Sequence, residues 1–194
     1  MTAAKTPLPE TASQTAGPYV HIGLAPAMAG LDRTLPVLGA EIAAAGVPGE
    51  RIVLEGRILD GAGEPVTDAM VELWQADAEG CFAQSAGSAT GFHGWGRTAA
   101  DFETGLWRFE TIKPGAVGDQ APHIALWIVA RGINIGLHTR AYFDDESDRN
   151  ASDPVLQTLP NARRASLFAQ TKARGVYCFD ILLQGDEETV FFDL

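Results

Sequence analysis

Short runs of alternating apolar and polar residues recur along the chain from Arg51 onward, and turn residues separate them. The first run is RIVLEGRIL at 51–59; the turn DGAGEP follows, and then AMVELWQA at 69–76. Alternate side chains of a strand point to opposite faces, so a period of two is typical of a strand with one buried face. The spacing of runs and turns therefore predicts antiparallel hairpins.

Further strands are predicted by the same pattern at Leu106–Ile112, His123–Val129, Gly136–Phe143, Val176–Leu183 and Glu188–Phe192. About eight strands that do not alternate with helices indicate an all-β fold, an antiparallel β-sandwich. One or two short helices are predicted at its edge, over Val155–Leu159 and Ala162–Ala173.

The segment before Arg51 has a different character. It is rich in Pro, Gly and Ala and has no sustained period, apart from a possible short helix over Glu41–Ala45. We therefore divide the chain into an irregular N-terminal arm, 1–50, and a β-sandwich domain, 51–194. Apolar residues of the arm, such as Leu24, Leu31 and Leu38, lack an element of their own that could bury them. The arm is expected to pack on a partner subunit.

Composition and charge narrow the classes of partner. The 194 residues are 46% hydrophobic, and 14 basic against 25 acidic residues give a net charge of −11. Such a charge argues against nucleic acid and anionic membranes as partners. The longest apolar run, Ile124–Ala130, is far shorter than the roughly 20 residues that span a bilayer. The N-terminal residues do not read as a secretion signal, so a cytoplasmic protein is expected.

One strand carries a single histidine where a metal site would need two. In the run APHIALWIVAR, His123 is followed at the next position on the same face by Ala125. A His-x-His pair on a strand would place two imidazoles side by side on one metal ion. The sequence therefore indicates a domain related to a metalloenzyme that does not itself hold the metal.

Seven segments in a fixed order carry a resemblance to a known family: QTAGPY (14–19), VELWQADAEG (71–80), GWGRT (94–98), WRFETIKPG (107–115), APHI (121–124), RGINIGLHTRAYFDDE (131–146) and VYCFDILLQGDEETVFFD (176–193). Together they resemble the intradiol ring-cleaving dioxygenases, over nearly the whole chain from Leu8. The resemblance implies a non-haem iron(III) enzyme that cleaves a catechol with O2.

Enzymes of this family hold iron(III) through two tyrosines and two histidines, because phenolate oxygens and imidazoles stabilise the oxidised ion. By resemblance, the histidine pair falls on His123 and Ala125. The two tyrosine positions fall on Phe82 and near Val117. Three of the four ligands are therefore missing, and we expect this chain to hold no metal and to contain no catalytic residue of its own.

The resemblance extends to the two-chain members of the family, in which an α chain without iron stands beside an iron-binding β chain of the same fold. It implies a homologous partner that holds the Fe(III) in a higher-order αβ oligomer. The implied reaction converts protocatechuate and O2 to 3-carboxy-cis,cis-muconate. This chain would complete the substrate pocket with Gly17, Pro18 and Tyr19 of the arm and with Arg131, whose fixed cation suits the substrate carboxylate.

A second interpretation stays open at this point. Hairpins such as DGAGEPV followed by VELW also occur in non-enzymatic β-sandwich binding modules. Co-purification with an iron-bearing homologue would distinguish the two.

Overall fold

A computed structural model of the chain describes residues 14–17, 19–27, 29–31, 37–85 and 87–193. Its elements are α1 (Tyr19–Leu24), β1 (Arg51–Leu59), β2 (Met70–Trp74), β3 (Trp95–Ala99), β4 (Leu106–Ile112), β5 (His123–Val129), β6 (Leu137–Phe143), α2 (Ser147–Ser152), α3 (Pro154–Thr158), α4 (Asn161–Arg164), a 3-10 helix (Ala165–Leu167), β7 (Phe168–Ala173), β8 (Val176–Cys178) and β9 (Ile181–Leu182). In these ranges, no helix has both the length and the apolar character needed to cross a membrane.

The strands join in the order β3-β2-β5-β6-β7-β8-β1-β4, with β9 beside β1. The prediction of an all-β fold is confirmed. The sheet is mixed rather than purely antiparallel, because β6 pairs with β7, and β1 with β8 and β9, in parallel. Parallel neighbours need a long crossover connection. The helical segment between β6 and β7 provides one, so β7 returns in the same direction as β6.

The core lies between the two halves of this sheet, as the alternating pattern predicts. From β5, the even-numbered Ile124, Leu126 and Ile128 are buried; they pack in one cluster with Trp107 and Phe109 of β4. Complete burial of one such side chain stabilises the fold by about 1.5–3 kcal/mol. The odd-numbered residues of β5 consequently lie on the outer face of the sheet.

The helix predicted over Ala162–Ala173 is wrong in its second half. The helical turns end at Leu167, and Phe168 begins strand β7. Phe168 and Ala169 pair with the end of β6, and the carboxylate of Asp144 accepts the Thr171 N–H at 3.0 Å. These partners are distant in sequence, so tertiary pairing overrides the local helical tendency. The helix predicted over Val155–Leu159 is confirmed as α3, shifted by one residue.

Two predicted strands at the C-terminal end also differ. The strand predicted over Val176–Leu183 is interrupted at Phe179–Asp180, because Asp180 turns to accept the Arg57 N–H at 2.8 Å. The strand predicted over Glu188–Phe192 does not form. Its residues bond to several different elements, and a single bridge joins Phe192 to His138.

The chain before β1 departs from the pattern as well. The possible helix over Glu41–Ala45 is absent, because Ala43 forms an isolated bridge with Phe92 and the Ile42 carbonyl accepts two N–H groups. Ile42 is buried in the main core of this chain. Strand β3 was not predicted at all, since its segment GWGRT contains two glycines and little apolar alternation.

Candidate functional site

The outer face of β5 carries the position where the resemblance places the histidine pair. His123 lies opposite Tyr142 of β6, with ring centroids 5.3 Å apart, and its Nδ1 is 2.8 Å from the Ala121 carbonyl oxygen. Burial lowers the pKa of His123 below 6.5, which favours the neutral ring. Ala125, the next residue on this face, has no ligand atom. One imidazole is therefore present and holds a structural contact.

The two expected tyrosine positions also lack an oxygen ligand. Phe82 stacks on Trp74 of β2 with ring centroids 6.4 Å apart. Val117 makes two main-chain hydrogen bonds with Gln120 in a tight turn. Over the part of the chain that the structure describes, no three His, Cys, Asp or Glu side chains are grouped so that they could hold a metal ion. The residues at these positions do not fit iron(III), which needs phenolate and imidazole donors.

A cleft of about 380 Å³ lies at the other end of β5, where the arm meets the body of the protein. Its walls include Gly17 and His21 from the arm, Asp68 and Phe102 from loops, and Arg131 just after β5. The structure therefore brings together two of the residues that the sequence proposes for a substrate pocket, although more than 100 residues separate them. The cleft is the candidate functional site, to which we refer as the Arg131 cleft.

Arg131 is the cation of this cleft. Its Nε donates to the Asp68 carboxylate, and this bond raises the pKa of the arginine, which is charged throughout the physiological range. The side chain of Arg131 is 67% exposed and that of Asp68 19% exposed. A guanidinium has five N–H donors, so the bond from Nε leaves its outer edge able to bind a carboxylate in a bidentate manner.

The other predicted pocket residues have different outcomes. A Cβ at Gly17 would meet no atom within 4 Å, so the fold of this chain does not require glycine there. Tyr19, the first residue of α1, is 77% exposed and does not line the cleft. Pro18 lies outside the described residues. The assignment of these three residues and Arg131 to a substrate pocket stays a prediction.

Two residues of the cleft region were missed by the sequence reasoning. The Thr15 hydroxyl accepts the N–H of Gly132 at 2.7 Å, which fixes the arm against the residue that follows Arg131. His21 is buried beside Phe102, at 5.1 Å between ring centroids, and its Nε2 has no hydrogen-bond partner among the described residues. Burial lowers the pKa of His21 below 6.5. The only sequence signal for a role of these two residues is their position, since Thr15 lies within the QTAGPY run and His21 lies two residues after it.

Comparison with known proteins gives consistent results at the level of sequence and of fold. A protein-family model described as Dioxygenase matches residues 39–185. The chain is 47% identical over 195 residues to the protocatechuate 3,4-dioxygenase alpha chain of Pseudomonas putida, covering 96% of this chain and 97% of that protein. It is 37% identical over 160 residues to the protocatechuate 3,4-dioxygenase beta chain of Burkholderia cepacia, covering 73% of this chain and 67% of that protein. Among solved structures, the dioxygenase domain of a carbohydrate-binding fusion protein from Streptomyces sp. SirexAA-E has a similar fold. Its TM-score is 0.59 at 24% identity, covering 78% of this chain and 88% of that one.

Proposed function

This chain belongs to the intradiol ring-cleaving dioxygenase family, and we propose that it is the α subunit of an enzyme that cleaves protocatechuate with O2 to 3-carboxy-cis,cis-muconate. One observation carries the proposal. The chain has the family fold, yet Phe82, Ala125 and a segment near Val117 that contains no tyrosine stand where the resemblance places ligands to the metal. A family member that lacks three of the four metal ligands would need a partner for the reaction, and its similarity to an alpha chain supports a β chain as that partner.

The partner in this proposal is a homologous β chain that holds the Fe(III), within a higher-order αβ oligomer. Similarity of this chain to a beta chain supports a pair of related folds. The described part of the arm supports an interface, because Leu24, Leu31, Val37 and Leu38 are each 39–65% exposed. Apolar side chains at this density are typical of a surface that another chain covers. The proposed location is the cytoplasm.

The contribution of this chain to the reaction would be to bind and orient the substrate. The carboxylate of protocatechuate would lie on the outer edge of the Arg131 guanidinium, while Asp68 fixes the opposite edge. Gly17 would form the wall that the arm contributes to the cleft, and Thr15 ties this part of the arm to Gly132. Tyr19 lies outside the cleft, so a role for it would require contact with the substrate from the solvent side or from the partner. A bound carboxylate that cannot rotate presents the catechol ring to the partner in one orientation.

The proposal is tested by co-expression of this chain with a homologous β chain. We expect a complex of high mass that contains iron and converts protocatechuate, whereas neither chain alone does so at a comparable rate. Deletion of residues 1–20 should weaken the complex and reduce its activity, because Gly17 and Thr15 are lost. A β chain that contains iron, is fully active alone and does not bind this chain would contradict the proposal.

A further inference from the structure

The outer face of the sheet carries a second cavity, of about 400 Å³, which shares no residue with the Arg131 cleft. Its principal wall residues are Trp74, Trp95, Ala125, Trp127, Arg140 and Phe192. We refer to it as the tryptophan pocket. A volume of this size is sufficient for a small ligand.

Strand register explains the open space at the centre of the pocket. Ala125 lies directly opposite Trp74 of β2 on one side and opposite Arg140 of β6 on the other. Side chains at directly opposed positions of antiparallel strands have Cβ atoms about 5 Å apart. Because alanine ends at its Cβ, it forms a floor between an indole and a guanidinium.

The aromatic walls are held in place by neighbours outside the pocket. Trp74 stacks on Phe82 with an interplanar angle of 25°, yet the residue as a whole is 49% exposed. Trp127 packs tightly against the backbone of Gly136, where an added Cβ would lie 2.0 Å from the indole nitrogen. A pocket whose walls are fixed before binding loses little conformational entropy when a ligand enters.

The described residues that line the tryptophan pocket include one carboxylate, which is already paired, and one guanidinium, that of Arg140. Glu72 is the carboxylate of the wall, and it forms an ion pair with Arg97, which also lies over the Trp95 ring at 5.1 Å. Arg140 instead donates to neutral oxygens, Oε1 of Gln120 at 2.7 Å and the hydroxyl of Tyr142 at 3.3 Å. Among the described residues, no carboxylate forms an ion pair with Arg140.

We infer that the tryptophan pocket binds a small aromatic carboxylate, whose ring lies against the indoles and whose carboxylate accepts hydrogen bonds from Arg140. Indole faces favour a flat aromatic ring, and an arginine without an acidic partner favours an anion. This inference concerns the side chains of this subunit only, so it stands whether or not the proposed ring cleavage is correct.

The test is a titration of the full-length protein, in the assembly in which it purifies, with 4-fluorobenzoate as the probe. Calorimetry gives the number of sites, and tryptophan fluorescence reports contact with the indoles. Ala125→Leu fills the floor of the pocket, and Ala151→Leu makes the same change on the exposed surface of α2. We expect Ala125→Leu to remove one binding event per copy of this chain, whereas Ala151→Leu removes none.

A second pair of variants tests the role of charge. Arg140→Gln should weaken binding of 4-fluorobenzoate by about tenfold or more, while binding of the neutral 4-fluorobenzamide changes little. Arg140→Lys keeps the cation and should recover part of the affinity, which separates loss of charge from loss of folding. Equal stoichiometry for the wild type and Ala125→Leu would overturn the inference. So would indoles that acrylamide cannot quench, which would mean that a partner segment covers the pocket.

Discussion

Replacing Arg131 by alanine separates substrate binding from folding, because the side chain is mostly exposed. Exposed ion pairs contribute little to stability, so the Arg131→Ala complex should fold and assemble normally. In the proposed pocket the same change removes a charge-assisted hydrogen bond to the substrate carboxylate. We expect kcat/KM for protocatechuate to fall by roughly 10- to 100-fold, mainly through KM.

Catechol provides the decisive comparison, because it has the reacting hydroxyls and lacks the carboxylate. Its kcat/KM should be almost unchanged in Arg131→Ala. Steady-state rates of O2 consumption measure both substrates in the same assay. Arg131→Lys should show an intermediate loss, since a lysine keeps the charge but cannot form the bidentate pair.

Arg108 supplies the matched control. Its side chain is 46% exposed and paired with Glu55 and Glu110, so Arg108→Ala also removes an exposed, paired arginine, but one outside the cleft. It should leave the rates for both substrates unaltered. Equal losses for protocatechuate and catechol in Arg131→Ala, or no loss for either, would refute a carboxylate-binding role.

Three further predictions concern the body of this chain. Asp153→Ala should lower the free energy of unfolding by about 2–4 kcal/mol in urea titrations, because the buried carboxylate accepts the N–H groups of Ala121 and Leu156, each at 2.8 Å; an unchanged midpoint would contradict this. The buried, neutral His123 has a pKa below its ordinary 6.5, so the unfolded chain binds a proton more readily than the folded one. The free energy of unfolding should therefore be at its full value above that pH and fall as the pH drops below it. His123→Gln should flatten this decline at pH values below about 6.5, and an identical slope would exclude His123 as a cause. Finally, the chain expressed alone should contain no stoichiometric iron and no phenolate-to-iron absorption band; one iron per chain by metal analysis would show that the expected ligand positions are misassigned.

In the N-terminal arm, local sequence pattern and long-range packing determine different features. The sequence before Arg51 has no sustained period, and this absence neither predicts the short helix Tyr19–Leu24 nor reveals which apolar residues the body of this chain buries. Ile42 enters the main core, whereas Leu38, only four residues earlier, is 65% exposed. That difference depends on the backbone pairing of Ala43 with Phe92, which no local property of the arm specifies.

By itself, the sequence determined the features that depend on neighbouring residues and on residue identity. Alternation located β1, β4 and β5, because side-chain direction in a strand repeats every two residues. The residue types at Phe82 and Ala125 are sufficient to exclude a phenolate ligand at the first position and an imidazole ligand at the second.

The tertiary structure decided everything that depends on contacts between distant segments. It turned the predicted helix at Phe168–Ala173 into a strand, joined Thr15 to Gly132 across the Arg131 cleft, and placed Arg140 beside Ala125 and Trp74. The physical reason is that hydrogen bonds and packing across the sheet are stronger than the weak local propensity of a few residues. Which segment pairs with a given strand edge is therefore decided only when the whole chain has folded.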